Sequence, residues 1–121
     1  MIKHLWGKVQ HGDKRGRKLG FPTANINLHK QFSDGVYISL VKINNNWLPS
    51  LTFIGPALTF KRTEKKAECY ILDFNKNLYG KWISIRLIKK TRGNKKYAGA
   101  KALVAAMKQD EQAARKYFKA N

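Results

Sequence analysis

At 121 residues, 43% of them hydrophobic and 26% charged, the chain can bury one modest core and is too short for two. Its formal net charge of +18 implies polyanionic partners or, equally, a solvated lysine-rich surface. No apolar run reaches the ~18 residues of a membrane span, the N-terminal stretch lacks a leader's apolar segment, and a single cysteine, Cys69, excludes an internal disulfide framework and suits a reducing interior.

In chain order, the first distinctive segment is HGDKRGRKLGFPTANI, from His11 to Ile26. Glycines at 12, 16 and 20 can turn backbone N–H groups toward an anion, and Lys14, Arg15, Arg17 and Lys18 add charge to the same loop. Such a loop suits a polyphosphate, and a basic hairpin gripping a nucleic-acid backbone would read the same way. It is neither a P-loop nor a dinucleotide fingerprint. The stiff corner Pro22-Thr23-Ala24-Asn25 follows. Thr23 and Asn25 are two residues apart, so in an extended segment they face one point, as two neutral oxygen ligands of a magnesium–phosphate complex would. An Asx-type turn in which both satisfy only backbone is the alternative.

Gly35 to Ile43 is β-branched and aromatic and ends at Asn44-Asn45-Asn46, a turn signal. Trp47 to Ile54 resumes strand composition and stops at Gly55-Pro56. Ala67 to Phe74 and Trp82 to Ile88 alternate, with Tyr79-Gly80 between them. In the first of these, Glu68 shares a face with Tyr70, Leu72 and Phe74. It reads either as a rim carboxylate paired with Lys65 or Lys66, or as a positioned base for an alcohol. From Lys76 to Lys108 the cations are unrelieved by any acid, whereas residues 110 to 119 are mixed, as on an exposed helix face. Ala100, Leu103, Val104, Met107, Ala114, Tyr117 and Phe118 recur at helical spacing and predict a core-packing helix over about 99–119. The histidines His4, His11 and His29 have no metal-ligand spacing with Cys69. Several short strands and one closing helix give a mostly all-β fold, a small antiparallel barrel.

The His11–Ile26 segment, then Gly35-Val36-Tyr37, then AECYILDF (Ala67 to Phe74) followed by NLYG (Asn77 to Gly80), resembles the riboflavin kinase family. The likeness is greatest to the kinase module of bacterial bifunctional FAD synthetases, and it runs over about residues 6–118. The resemblance implies a single domain over residues 1–121: a six-stranded Greek-key barrel at about 4–91, a flexible loop at 92–98 and the C-terminal helix. It implies transfer of the ATP γ-phosphoryl group to the riboflavin 5′-hydroxyl, giving FMN. Thr23 and Asn25 then match the Mg²⁺–nucleotide ligands, and Glu68 the catalytic base. Gly12, Arg15, Gly16, Arg17, Lys18, Gly20, Phe21 and Pro22 match the phosphate-covering flap, with Tyr79 also on the nucleotide. Arg92 and Tyr97 match the arginine and aromatic of the loop over the flavin. A cytoplasmic monomer with riboflavin, ATP and Mg²⁺ as its small-molecule partners follows from the same likeness; these 121 residues have no room for an adenylyltransferase half, so if Met1 is the true start FMN is the end product.

Two departures stand out: Phe53 and Leu58 replace an Asn and a Pro, and Arg92-Gly93-Asn94 replaces an Arg-Pro-Glu-like loop. Two other readings stand beside the kinase. One is a basic nucleic-acid-binding barrel with Trp6, Trp47 and Trp82 for stacking, although these do not cluster within one basic strand. The other is a catalytically silent flavin- or nucleotide-binding module.

Overall fold

Local backbone chemistry sets the architecture of the protein, whose computed structural model describes residues 3–10, 23–28, 32–56 and 65–120. Among these, β1 (Lys3–Lys8), β2 (Ala24–Ile26), β3 (Gly35–Ile43), β4 (Asn46–Gly55), β5 (Lys66–Ile71) and β6 (Trp82–Arg92) precede one long helix, α1 (Ala100–Ala120). The β3–β4 hairpin turns on Asn44 and Asn45, both at positive φ (50° and 67°), with Ile43 opposite Asn46. This is the two-residue turn whose twist matches the strands, and asparagine tolerates its left-handed geometry.

The strands form one antiparallel sheet in the order β1-β6-β3-β4-β5-β2. β3, β4 and β5 pair consecutively and β2, which precedes β3 in the chain, lies beside β5, the four-strand arrangement of a Greek key. The sheet curls until its two edges meet. Gln10, just past β1, bridges to Asn25 in β2, its amide donating to the Asn25 carbonyl at 2.8 Å. A glycine eases the close approach at this seam: a Cβ on Gly7 would sit a tight 3.2 Å from the Ile26 Cβ.

Alternation sorts the side chains into two apolar clusters. Leu5, Ile26, Tyr37, Val41, Ile54, Ala67, Cys69, Ile83 and Ile85 point into the barrel and form the larger one. On the outside, Val36, Ile38, Leu51 and Leu72 pack with Ala114 of α1, and Phe53, Tyr70, Tyr117 and Phe118 join them. The helix therefore lies against the outer face of the sheet.

The expected strands and helix are all present, with two shifted ends. β5 stops at Ile71 rather than Phe74, because Leu72 and Asp73 turn the chain, Asp73 at φ 56°. Glu68 keeps Tyr70 on its face and Leu72 stays on the helix side, but Phe74 packs against the barrel core instead. β6 runs on to Arg92 instead of ending at Ile88, its register against β3 shifting at Val36/Tyr37 and at Ile38/Ser39. The mixed helix segment is not wholly exposed either: Asp110 is buried with Met107 and Ala114.

Candidate functional site

β2 is three residues long, and its register fixes the centre of the site. Asn25 lies directly opposite Glu68 of β5. Directly opposed residues of an antiparallel pair point to the same side, with Cβ atoms about 5 Å apart. Ala24 and Ile26 face the barrel core, as do Ala67 and Cys69, so Asn25 and Glu68 face outward. Asn25 is buried and Glu68 half-buried. The two sequence motifs that carry an amide oxygen and a carboxylate, more than forty residues apart in the chain, thus meet in one cross-strand pair.

The row continues across the sheet. Glu68 lies opposite Phe53, Phe53 opposite Val36, and Val36 opposite Arg92. Asn25, Glu68, Phe53, Val36 and Arg92 therefore form a single line across five strands, about 19 Å from end to end at four strand spacings. Phe53 and Val36 belong to the cluster under α1. The carboxylate thus has an apolar neighbour where the family pattern has an asparagine.

At the far end, Arg92 makes a fork to Asp110 of α1: Nε donates to Oδ1 at 2.9 Å and Nη2 to Oδ2 at 2.7 Å. The bidentate bonds with Asp110, set against partial burial, hold the guanidinium even more firmly protonated than usual. The Arg92 guanidinium also lies 5.5 Å from the ring centroid of Tyr97, and Asn94 Nδ2 donates to the Pro56 carbonyl at 2.9 Å. The loop after β6 is thereby tied to both the helix and the end of β4. Asp110 escaped the sequence reading, yet a signal was there: the apolar stripe of the helix skips from Met107 to Ala114, and Asp110 fills a core-facing position in the gap.

Tyr79 is largely exposed, in a turn where its amide donates to Asn77 Oδ1. That turn is bonded to the seam: Gly80 N–H donates to the Val9 carbonyl at 3.0 Å, and Val9 N–H to the Lys81 carbonyl at 2.8 Å. Tyr79 is thus linked through Val9 and Gln10 to Asn25. Thr23, half-buried, immediately precedes β2. Gly12, Arg15, Gly16, Arg17, Lys18, Gly20, Phe21, Pro22 and Leu58 lie outside the described residues.

Beyond Glu68 on the same face of β5, Tyr70 reaches toward Glu111 of α1, Oη to Oε1 at 3.5 Å. Burial, followed by the Glu111 charge, raises the tyrosine pKa. Arg115 then binds Asp73 through both Nη atoms, at 3.0 and 2.9 Å, and Glu111 through Nε at 2.9 Å. The hydrogen bonds from Arg115 hold the Asp73 carboxyl below its ordinary range.

The geometry can therefore offer an amide oxygen beside a carboxylate at one end of a row and a fixed guanidinium–aromatic pair at the other. Known proteins share the fold that carries these residues. A profile of the riboflavin kinase family matches residues 3–118. A bifunctional riboflavin kinase/FMN adenylyltransferase of Listeria monocytogenes is 38% identical over 116 residues, covering 93% of this chain. The chain spans 37% of that relative's length. A solved structure described as a macrolide-efflux protein of Streptococcus pneumoniae superposes with a TM-score of 0.81 and 33% identity over 93% of this chain and 38% of its own. Among the described residues here, no helix is long and apolar enough to cross a membrane. The riboflavin kinase of Trypanosoma brucei matches with a TM-score of 0.67 and 26% identity, covering 98% of this chain and 78% of its own. The family match over residues 3–118, together with the six-stranded antiparallel sheet that the riboflavin kinase structure shares, makes this chain a member of the riboflavin kinase family.

Proposed function

We propose that the chain transfers the γ-phosphoryl group of ATP to the 5′-hydroxyl of riboflavin, giving FMN and ADP. The observation that carries the reading is the direct opposition of Asn25 and Glu68. A phosphoryl transfer needs positioning and charge neutralisation more than covalent chemistry from the protein. Glu68 accepts the hydroxyl proton as the oxygen attacks the γ-phosphorus and the bond to ADP breaks. Asn25, one strand away, holds the nucleotide end of the reaction, and Thr23 stands two residues before it.

The donor set, one amide and one hydroxyl oxygen beside a single carboxylate, fits Mg²⁺, which keeps several waters and takes much of its coordination from phosphates. When bound with the nucleotide, the ion neutralises phosphate charge. Residues 12–22 would supply further charge over the phosphates. Arg92 and Tyr97, fixed at the far end of the row, are suited to contact the flavin ring, because a substrate with its ring at one end and a primary alcohol at the other needs two separated subsites. The reading extends to a monomer acting in the cytoplasm, where ATP is available and the unpaired Cys69 stays reduced.

Incubation with riboflavin, ATP and Mg²⁺, followed by chromatography, should yield FMN. Glu68→Gln keeps shape and hydrogen bonding but cannot take the proton, so turnover should drop by about two to four orders of magnitude while riboflavin still binds. Near-normal turnover in that variant would return Glu68 to the role of a rim carboxylate.

A further inference from the structure

All three tryptophans of the chain lie on one exposed stretch of the barrel's outer face. Trp6 is 47% exposed, Trp47 36% and Trp82 69%. Sequence scatters them over three strands, and register reunites them. Trp6 lies opposite Ser84, Ser84 opposite Lys42, and Lys42 opposite Trp47, in one row across β1, β6, β3 and β4. Lys8 lies opposite Trp82 one step along, so Trp82 is the diagonal neighbour of Trp6. His4, Arg86 and Leu40 form the next row on the other side. At three strand spacings, Trp6 and Trp47 stand about 14 Å apart.

Charge on this stretch has one sign. The Arg86 guanidinium lies 4.5 Å from the Trp47 ring centroid and the Lys42 ammonium 5.8 Å, while Arg86 Nε donates to His4 Nε2 at 3.1 Å. Every carboxylate among the described residues lies elsewhere. Asp34 pairs with Lys65, Asp73 and Glu111 with Arg115, and Asp110 with Arg92, while Glu68 faces Asn25. Solvation alone would explain the lysines but not three large rings held in water beside them. A second copy of this chain is a poor occupant, since each copy carries +18. Planar rings interleaved with cations fit unstacked bases on a phosphate chain.

We propose that this face binds single-stranded nucleic acid without sequence preference, with phosphates on Lys8, Lys42 and Arg86 and bases stacked on Trp6, Trp47 and Trp82. The face uses strands other than those carrying Asn25 and Glu68, so the proposal stands apart from the kinase reading.

Because the three tryptophans share this face, tryptophan fluorescence, excited at the red edge where the five tyrosines do not absorb, reports on it alone. Titration with an oligothymidylate of about twelve nucleotides at low salt should quench that fluorescence. Trp82→Ala and Lys42→Gln, both substitutions at the surface, should each weaken binding by about tenfold and leave FMN formation unchanged. Inorganic polyphosphate of matched charge has no rings, and should bind more weakly and quench little. The proposal is overturned if the oligonucleotide fails to quench, or if both variants bind it like the wild type. Equal binding of polyphosphate and oligonucleotide would overturn it too, as would sedimentation showing a dimer that Trp82→Ala converts to monomer.

Discussion

Cys69 shows how much a single inward-facing residue can decide. Its thiol is fully enclosed in a polar layer inside the barrel, where Ser39 Oγ lies 2.7 Å from Ser50 Oγ and 2.8 Å from Thr52 Oγ1, all four residues almost inaccessible to solvent. Each hydroxyl finds a partner within the layer, so burial does not leave it unsatisfied. Burial pushes the Cys69 thiol up from its ordinary 9.0 to about 11, against a smaller opposing effect of hydrogen bonds with Ser50 and Thr52. In the unfolded chain the thiol ionises near pH 9, whereas in the folded chain it keeps its proton to about pH 11. Between those values the unfolded state alone releases a proton, so the thiol's contribution to stability is complete below pH 9 and lost as pH rises toward 11. Thermal melts of wild type and Cys69→Ala across pH 8 to 11 should show a steeper fall for the wild type. Parallel curves would mean that the thiol ionises as readily folded as unfolded.

Between elements, the contact that most constrains the site is the fork from Arg92 at the end of β6 to Asp110 on α1. The Asp110 side chain is 7% exposed and that of Arg92 26%. Removing one partner strands the other with its charge poorly solvated, which in a fully buried pair costs 3–5 kcal/mol; the partial exposure of Arg92 lowers this to about 2–4 kcal/mol. Asp110→Ala should therefore destabilise by that amount in urea unfolding. Replacing both partners, as Arg92→Met with Asp110→Leu, should recover most of the loss. If the single variant is as stable as wild type, the fork is an incidental surface contact.

The same pair marks the limit of what the sequence could say about these elements. The hairpin at Asn44 and Asn45 was legible because local chemistry alone demands it, and the strands either side came out within a residue. β5 was read three residues too long, because the left-handed turn at Asp73 carries no glycine to announce it. Residues of β3 are buried on both faces along most of its length, since α1 covers the outer side, so alternation could not say that Ser39 points inward. Asn25, Glu68 and Arg92 were each singled out by the motifs that hold them. Their alignment in one row was not, because register is a property of strand pairing and is invisible in any single strand.

Taken whole, the molecule has two kinds of surface, for which two kinds of ligand are proposed. The row from Asn25 to Arg92 runs beneath the helix side, and the tryptophan face lies beyond it. These should respond to salt in opposite ways. An uncharged flavin ring releases few counterions, so riboflavin alone should raise the melting temperature at 200 mM salt about as much as at 50 mM. At a hundredfold excess over Kd the gain is about 2.7 kcal/mol. Three phosphate contacts on a single strand give a log–log slope of about −2, so the same fourfold rise in salt should weaken oligonucleotide binding by roughly twentyfold. Isothermal titration of each ligand at both salt concentrations separates them. A flavin response that collapses with salt would mean that the ring is held by charge on the surface rather than in a site.

The bridge from Gln10 to Asn25 makes the proposed nucleotide end of the barrel its clasp as well. β1 and β2 are the two edges of the sheet, and an edge strand left open is a template for a strand from another chain. Gly7 lets Ile26 approach closely enough for the edges to meet, and the Asn25 carbonyl receives the bond that joins them. Asn25 thus faces two ways: its side chain toward the site, its backbone toward closure. If Asn25 holds the nucleotide as proposed, a ligand that steadies it would also steady the seam, and substrate occupancy would then help keep the sheet edges from pairing with neighbouring chains.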